Sequence, residues 1–202
     1  MEEDKLLQAP IIEAHYQQIR RYEELIERYK AGPQSLHFVS QYSQLTRFLQ
    51  FLKIGLIENK KILDLGCGLG DFFKFLQEQG ITTHYTGYDI VSHFVGHCLK
   101  TYPEAHFEER DILFSKPAAK FDYIFASGIF AHTNQPSFEE IVTLAFDMCE
   151  QGFAFNMFET TQPDFFHITQ EEVLFFCNRL NPRKRVLVEE YLPGDYTIIL
   201  YK

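Results

Sequence analysis

Apolar positions set the first expectations. Between Pro10 and the Gly32-Pro33 pair, Ile11, Ile12, His15, Ile19, Tyr22, Leu25, Ile26 and Tyr29 recur along one helical face. Proline suits a first helical turn and Gly-Pro ends a helix, so the pattern predicts an amphipathic helix over 10–30. Leu45, Phe48, Leu49 and Leu52 predict a second over about 41–54. The period then changes. Short apolar runs predict strands at Lys61–Leu65, His84–Asp89, His106–Arg110, Phe121–Ala126 and Phe153–Phe158. Helical stretches alternate with them at Asp71–Gln79, Ser92–Lys100, Phe138–Cys149 and Gln170–Leu180. Two strands then follow in succession, Arg185–Glu190 and Tyr196–Tyr201, around the turn Leu192-Pro193-Gly194-Asp195.

Alternating strands and helices predict an α/β fold with a parallel sheet and helices on both faces. FDYIFA and FAFNMF are apolar on both sides, as buried parallel strands are. The expected architecture is a seven-stranded, mostly parallel sheet whose last strand is antiparallel. An N-terminal helical segment, 1–54, packs on or caps a core formed by 55–202. No internal repeat, low-complexity tract or long linker interrupts this order.

Composition narrows the class. The 202 residues contain 46% apolar and 23% charged side chains, ordinary globular usage that excludes a disordered chain or a fibre. Lys and Arg total 19 against 28 Asp and Glu, a net charge of −9 that argues against wrapping nucleic acid. Twenty-one Phe and 11 Tyr, without Trp, supply both core and the lining of an apolar pocket. Cys67, Cys98, Cys149 and Cys177 form no C-x-x-C pair and match no zinc spacing, so free thiols are expected and no metal. The N-terminus has no signal-peptide pattern and no run of apolar residues spans a bilayer, so a cytoplasmic protein, monomer or homodimer, is expected.

The segment Lys61-Ile-Leu-Asp-Leu-Gly-Cys-Gly-Leu-Gly-Asp71 carries the chemistry. It is a strand, then D-x-G-x-G-x-G, then a helix. Glycines let a ligand approach the main chain, and ligands of open parallel sheets sit beyond the carboxyl ends of the strands. Three glycines at this spacing after an acid arise by chance in such a chain roughly once in a hundred. A dinucleotide fingerprint would place its third glycine one residue later. Asp71 stands there instead, and an acid at a helix N-terminus repels a pyrophosphate. The P-loop lysine is also missing. The loop therefore suits a ligand without phosphates, and Asp64 favours one with a positive group.

ILDLGCGLG resembles motif I of the class I S-adenosylmethionine-dependent methyltransferases, and the resemblance covers about residues 36–202. It implies that Asp64, Gly66, Cys67, Gly68 and Gly70 bind the cofactor. Asp89 would accept both ribose hydroxyls, with Ile90 against the adenine. Asp111 would take the adenine amino group and the Ile112 backbone the ring. Backbone carbonyls of Ala126 and Ser127 would meet the methionine part. His132 matches a histidine near the methyl group, the expected catalytic base or acceptor-orienting residue. The terminal hairpin fits the family's reversed seventh strand. The implied activity is methyl transfer from S-adenosylmethionine to an unidentified small molecule, with S-adenosylhomocysteine as product. The alternative is a noncatalytic cofactor-binding partner subunit of a methyltransferase complex. A nicotinamide oxidoreductase is disfavoured by the glycine spacing.

Other candidates are weaker. His93 and His97 have an i, i+4 spacing that can bind metal, or belong to a solvated helix face. Arg183-Lys184-Arg185 is a solvated strand entry or a nucleic-acid contact. Glu159-Thr160-Thr161-Gln162-Pro163 follows a strand on the active side and is either substrate-contacting or an ordinary loop. Tyr16, Tyr22, Tyr42 and Arg47 are possible contacts from the N-terminal helices, or plain packing. No Asp/Asn-Pro-Pro-Tyr/Phe motif follows the fourth strand.

Overall fold

The computed structural model describes residues 2–29 and 40–202, with side chains for 9–28 and 40–202. Helix α1 (Glu2–Tyr29) and α2 (Gln41–Phe51) precede a 3-10 turn, Leu52–Ile54. Then come β1 (Lys61–Leu65), α3 (Asp71–Glu78), β2 (His84–Asp89), α4 (Ser92–Thr101), β3 (His106–Glu109), β4 (Phe121–Ala126), α5 (Gln135–Met148), β5 (Cys149–Phe158), α6 (Gln170–Arg179), β6 (Lys184–Val188) and β7 (Asp195–Tyr201). The seven strands form one sheet in the order β3-β2-β1-β4-β5-β7-β6. The first five run parallel, and β7 is inserted antiparallel between β5 and β6.

The pleat sends alternate residues to two cores. From β1, Ile62 joins Phe48, Phe51, Ile54, Phe72 and Phe125, a cluster that α2, α3 and α4 cover. Leu63 and Leu65 join Phe130, Phe138, Phe155 and Ile198 on the other face, under α5 and α6. The strand order reverses beside β1, so the carboxyl ends of β1, β2 and β4 open onto one crevice.

Three elements begin three or more residues before their expected starts. Helix α1 begins at Glu2 and carries Pro10 inside it. Proline inside a helix removes one hydrogen bond and crowds the carbonyl four residues before it, but the preceding Glu, Lys, Leu, Gln and Ala are good helix formers. The Gly32-Pro33 stop lies outside the described residues. Helix α5 begins at Gln135, not Phe138. Asn134 caps it, accepting from the Ser137 N–H at 2.9 Å. Strand β5 begins at Cys149, four residues before the apolar run. Glu150, Gln151 and Gly152 continue it past a bulge opposite Phe121–Tyr123, and Cys149, expected to end α5, starts the strand.

Candidate active site

The loop after β1 folds back onto β2. The N–H groups of Gly66 and Cys67 both donate to the Tyr88 carbonyl, at 2.8 and 3.0 Å. Gly66, Gly68 and Gly70 have φ of 77°, 53° and 80°, the left-handed region that glycine enters without strain. At Gly66 space also forbids a side chain, since a Cβ would sit 2.1 Å from Ile129 Cγ2. Asp89 closes the turn, accepting from the Gly68 N–H at 2.8 Å and the Val91 N–H at 2.9 Å.

Around this turn lies a cleft of about 410 Å³, within the size range of small-molecule sites. Asp64, Gly66, Cys67, Gly68, Asp89, Ile90, Asp111, Ile112 and Ser127 line it together, although they come from four segments of the chain. Gly70 does not line it. Its turn starts α3, and a Cβ there would meet Tyr102 at 2.8 Å. Nor does Ala126, which is buried in the sheet. Ser127, Gly128 and Ile129, one to three residues on, form the wall instead. Asn156 holds this corner, its Oδ1 accepting from the Gly128 N–H at 3.1 Å.

His132 is also outside the wall. Its Nδ1 lies 3.0 Å from the Asp164 carbonyl oxygen, and its ring stacks on Phe165 at 4.8 Å. Phe165 is the residue that lines the cleft. The geometry therefore ties His132 to the loop after β5 and does not bring it together with the residues expected to bind the cofactor.

Two buried acids are unusual. Asp64 is 3% exposed and accepts from the Tyr85 hydroxyl at 2.5 Å. Burial pushes its carboxyl up to about 7, although the Tyr85 bond opposes the rise. Asp89 is 7% exposed, and burial raises it to about 6 against the bonds from Val91 and Gly68. A cation placed beside either would favour its ionised form. The neighbouring Cys98 and burial push the Cys67 thiol up, so it is held neutral.

His15, Gln18 and Gln44 line the wall without having been expected there, beside residues that were. From α1, His15 Nδ1 lies 2.5 Å from Asp111 Oδ2, and Gln18 Nε2 donates to the Ile129 carbonyl at 3.3 Å. From α2, Gln44 donates to Asp71 at 2.8 Å. Arg47 grips Asp195 of β7 through Nε and Nη2, at 2.6 and 3.2 Å. Tyr22 and Arg47 line the cleft, whereas Tyr16 and Tyr42 are exposed elsewhere. Glu159, Thr160 and Gln162 line it too. Ser127 and Ser137 also line it, and their buried hydroxyls have no hydrogen-bond partner among the described residues. His93 is exposed, and His97 contacts Thr101. Among the described residues, no three His, Cys, Asp or Glu side chains are placed to hold a metal, and no helix is long and apolar enough to cross a membrane.

A model of the methyltransferase domain family matches residues 36–196. No curated protein matches the chain in sequence. Solved structures match its fold. The magnesium protoporphyrin IX methyltransferase of Synechocystis PCC 6803, solved with S-adenosylhomocysteine bound, is 11% identical, with a TM-score of 0.66 over 91% of this chain and 93% of that one. The N-methyltransferase NodS of Bradyrhizobium japonicum WM9, in complex with S-adenosylhomocysteine, is 16% identical, with a TM-score of 0.68 over 90% and 97%. DhpI, in its S-adenosylhomocysteine complex, is 17% identical, with a TM-score of 0.70 over 94% and 96%. At these identities the likeness is one of fold.

Proposed function

The chain belongs to the methyltransferase domain family, and we propose that it transfers a methyl group from S-adenosylmethionine to a small-molecule acceptor. The observation that carries this reading is the turn Gly66–Gly68 closed by Asp89, set in a cleft with Asp64 and Asp111. These residues fit the cofactor. The Gly66 position offers bare backbone, two carboxylates follow adjacent strands, and two buried hydroxyls await partners. The similar structures that hold S-adenosylhomocysteine support the same assignment.

Asp89 would hold the ribose hydroxyls, because each of its oxygens accepts one backbone N–H and keeps a lone pair for another donor. Ile90, Ile112 and Leu113 would flank the adenine, with Asp111 at its polar edge. Asp64, the Gly66–Gly68 backbone and Ser127 would surround the amino-acid end. When bound, S-adenosylmethionine supplies a methyl group already activated by a positively charged sulfur. What remains for the protein is alignment. Phe48, Phe72, Ile129, Ile141, Phe158 and Phe165 form apolar walls that keep water from the reacting atoms. His132 takes no proton-transfer role in this reading.

Calorimetric titration with S-adenosylmethionine and S-adenosylhomocysteine tests the assignment. One-to-one binding of both is expected, and no binding of either would overturn it.

A further inference from the structure

His15 stands on an otherwise apolar stripe of α1, with Ile12, Ile19 and Tyr22. The fold brings it to the end of the cleft formed by Asp111, Ile112 and Leu113, and it lines the wall beside them. Its Nδ1 lies 2.5 Å from Asp111 Oδ2, a close polar contact rather than a straight hydrogen bond. The two side chains are 16% and 14% exposed, so the contact is largely shielded from water. Phe114 and Tyr16 hold the imidazole edge-on, with ring centroids 5.0 and 5.4 Å away. The other carboxylate oxygen, Asp111 Oδ1, accepts from the Leu113 N–H at 2.7 Å. Asp111 is thus gripped on both oxygens, once by its own turn and once by a helix remote in sequence.

No second cation shares this carboxylate. The adjacent Arg110 is engaged by Glu108 and by the Ser115 carbonyl and hydroxyl. Among the described residues, His15 is the one basic side chain that meets Asp111. Nor does α1 depend on this contact for its place. Asn134 Nδ2 donates to the Pro10 carbonyl at 2.8 Å, and Gln18 Nε2 to the Ile129 carbonyl at 3.3 Å. Tyr22 and Ile26 pack on Leu69, Val91 and Phe94. The consequence of the His15 contact is therefore the orientation of Asp111.

We propose that His15 is a positioning residue for cofactor recognition. It fixes the Asp111 carboxylate so that a lone pair meets the adenine amino group, and through Asp111 it sets the preference for that group. The proposal rests on the methyltransferase reading above and adds a residue of α1 to its cofactor site. The terminal torsion of an aspartate is broad, so a carboxylate held by one oxygen still swings. A contact on the second oxygen fixes its plane, and each oxygen keeps a lone pair for a ligand donor. An acceptor set in advance needs less ordering on binding. A site built to accept from an N–H group rejects the analogue that lacks it.

The test compares S-adenosylhomocysteine with its 6-deamino analogue, in which purine replaces adenine and nothing else changes. Both are titrated calorimetrically into the full chain and its variants. The native protein should bind S-adenosylhomocysteine at least about tenfold more tightly than the analogue, as a hydrogen bond to a charged group implies. His15→Ala should shrink that ratio about fivefold, by weakening S-adenosylhomocysteine and sparing the analogue. His15→Asn returns an amide N–H near the place of Nδ1 and should recover part of the ratio. Asp111→Ala should abolish the ratio, and adding His15→Ala to it should change the ratio no further, as for two residues that act as one unit. A role in packing alone would weaken both ligands equally, and that result overturns the proposal. So does a ratio untouched by His15→Ala. A native protein that binds both ligands alike overturns it too, and leaves the methyltransferase reading standing. Failure to bind either ligand overturns both.

Discussion

Gly66 is where backbone and packing constraints coincide. Its φ of 77° disfavours any side chain, and a Cβ would press on Ile129, part of the cleft wall. Gly66→Ala should cost about 1–3 kcal/mol of stability from backbone strain, and more if Ile129 cannot yield. Denaturant unfolding checks this, and S-adenosylhomocysteine affinity should fall with it. Asp89 is a different case, since both of its oxygens already hold the turn. Asp89→Ala should weaken cofactor binding by about 1.5–3 kcal/mol, the range for hydrogen bonds to a charged group. Unchanged affinity in calorimetry would place the ribose elsewhere. His132→Ala should spare cofactor affinity altogether, because the ring lies on Phe165 outside the wall. The acids at the ends of β1 and β2 were legible in the sequence because a strand end and a glycine turn locate them. The direction of the His132 ring was not, because a few residues of loop after β4 decide which way it turns.

Elements bounded by glycine, proline or acids were read residue for residue: β1, β2 and β4 have the limits that their apolar runs predict. Where polar residues carry a regular element onward, the reading stopped short, as at the bulged start of β5 and the Asn134-capped start of α5. Of the walls contributed by α1 and α2, Tyr22 and Arg47 were expected contacts, but their partners were not legible. Arg47 and Asp195 are separated by 148 positions and meet only once β7 inserts beside β5. Helix α1 is held by polar contacts, with Asn134 Nδ2 donating to the Pro10 carbonyl at 2.8 Å and His15 against Asp111. Apolar contact adds to them, since Tyr22 and Ile26 pack on Leu69, Val91 and Phe94. None of these residues belongs to the two sheet cores. Deleting residues 1–29 should therefore leave a folded sheet. It should also weaken S-adenosylhomocysteine binding at least tenfold, about 1.4 kcal/mol, because Asp111 and the cleft wall lose their cover. Circular dichroism and calorimetry on the truncated chain separate the two effects.

The whole molecule carries a charge problem that its cleft makes visible in pH dependence. Asp64 and Asp89 keep their protons in the folded state up to about pH 7 and 6, whereas unfolded aspartate releases its proton near pH 4. Between about pH 4 and 7 these two acids thus bind more protons in the folded protein than in the unfolded chain. Their contribution to stability falls as pH rises through this window, at up to about 1.4 kcal/mol per pH unit for each group still protonated. This is the reverse of the usual carboxylate, whose folded-state pKa is lowered. Without ligand, the melting temperature should drop between pH 5 and 7.5, by a few degrees for each kcal/mol in a chain of this size. A ligand that brings a positive amino group to Asp64 stabilises the ionised carboxylate and removes part of the slope. Melting curves measured from pH 5 to 8, with and without saturating S-adenosylhomocysteine, should accordingly diverge as pH rises. A ligand-free melting temperature that climbs across this range would show that the two acids are ionised in the folded protein. Parallel curves would place the positive end of the ligand away from Asp64, on a different wall of the cleft.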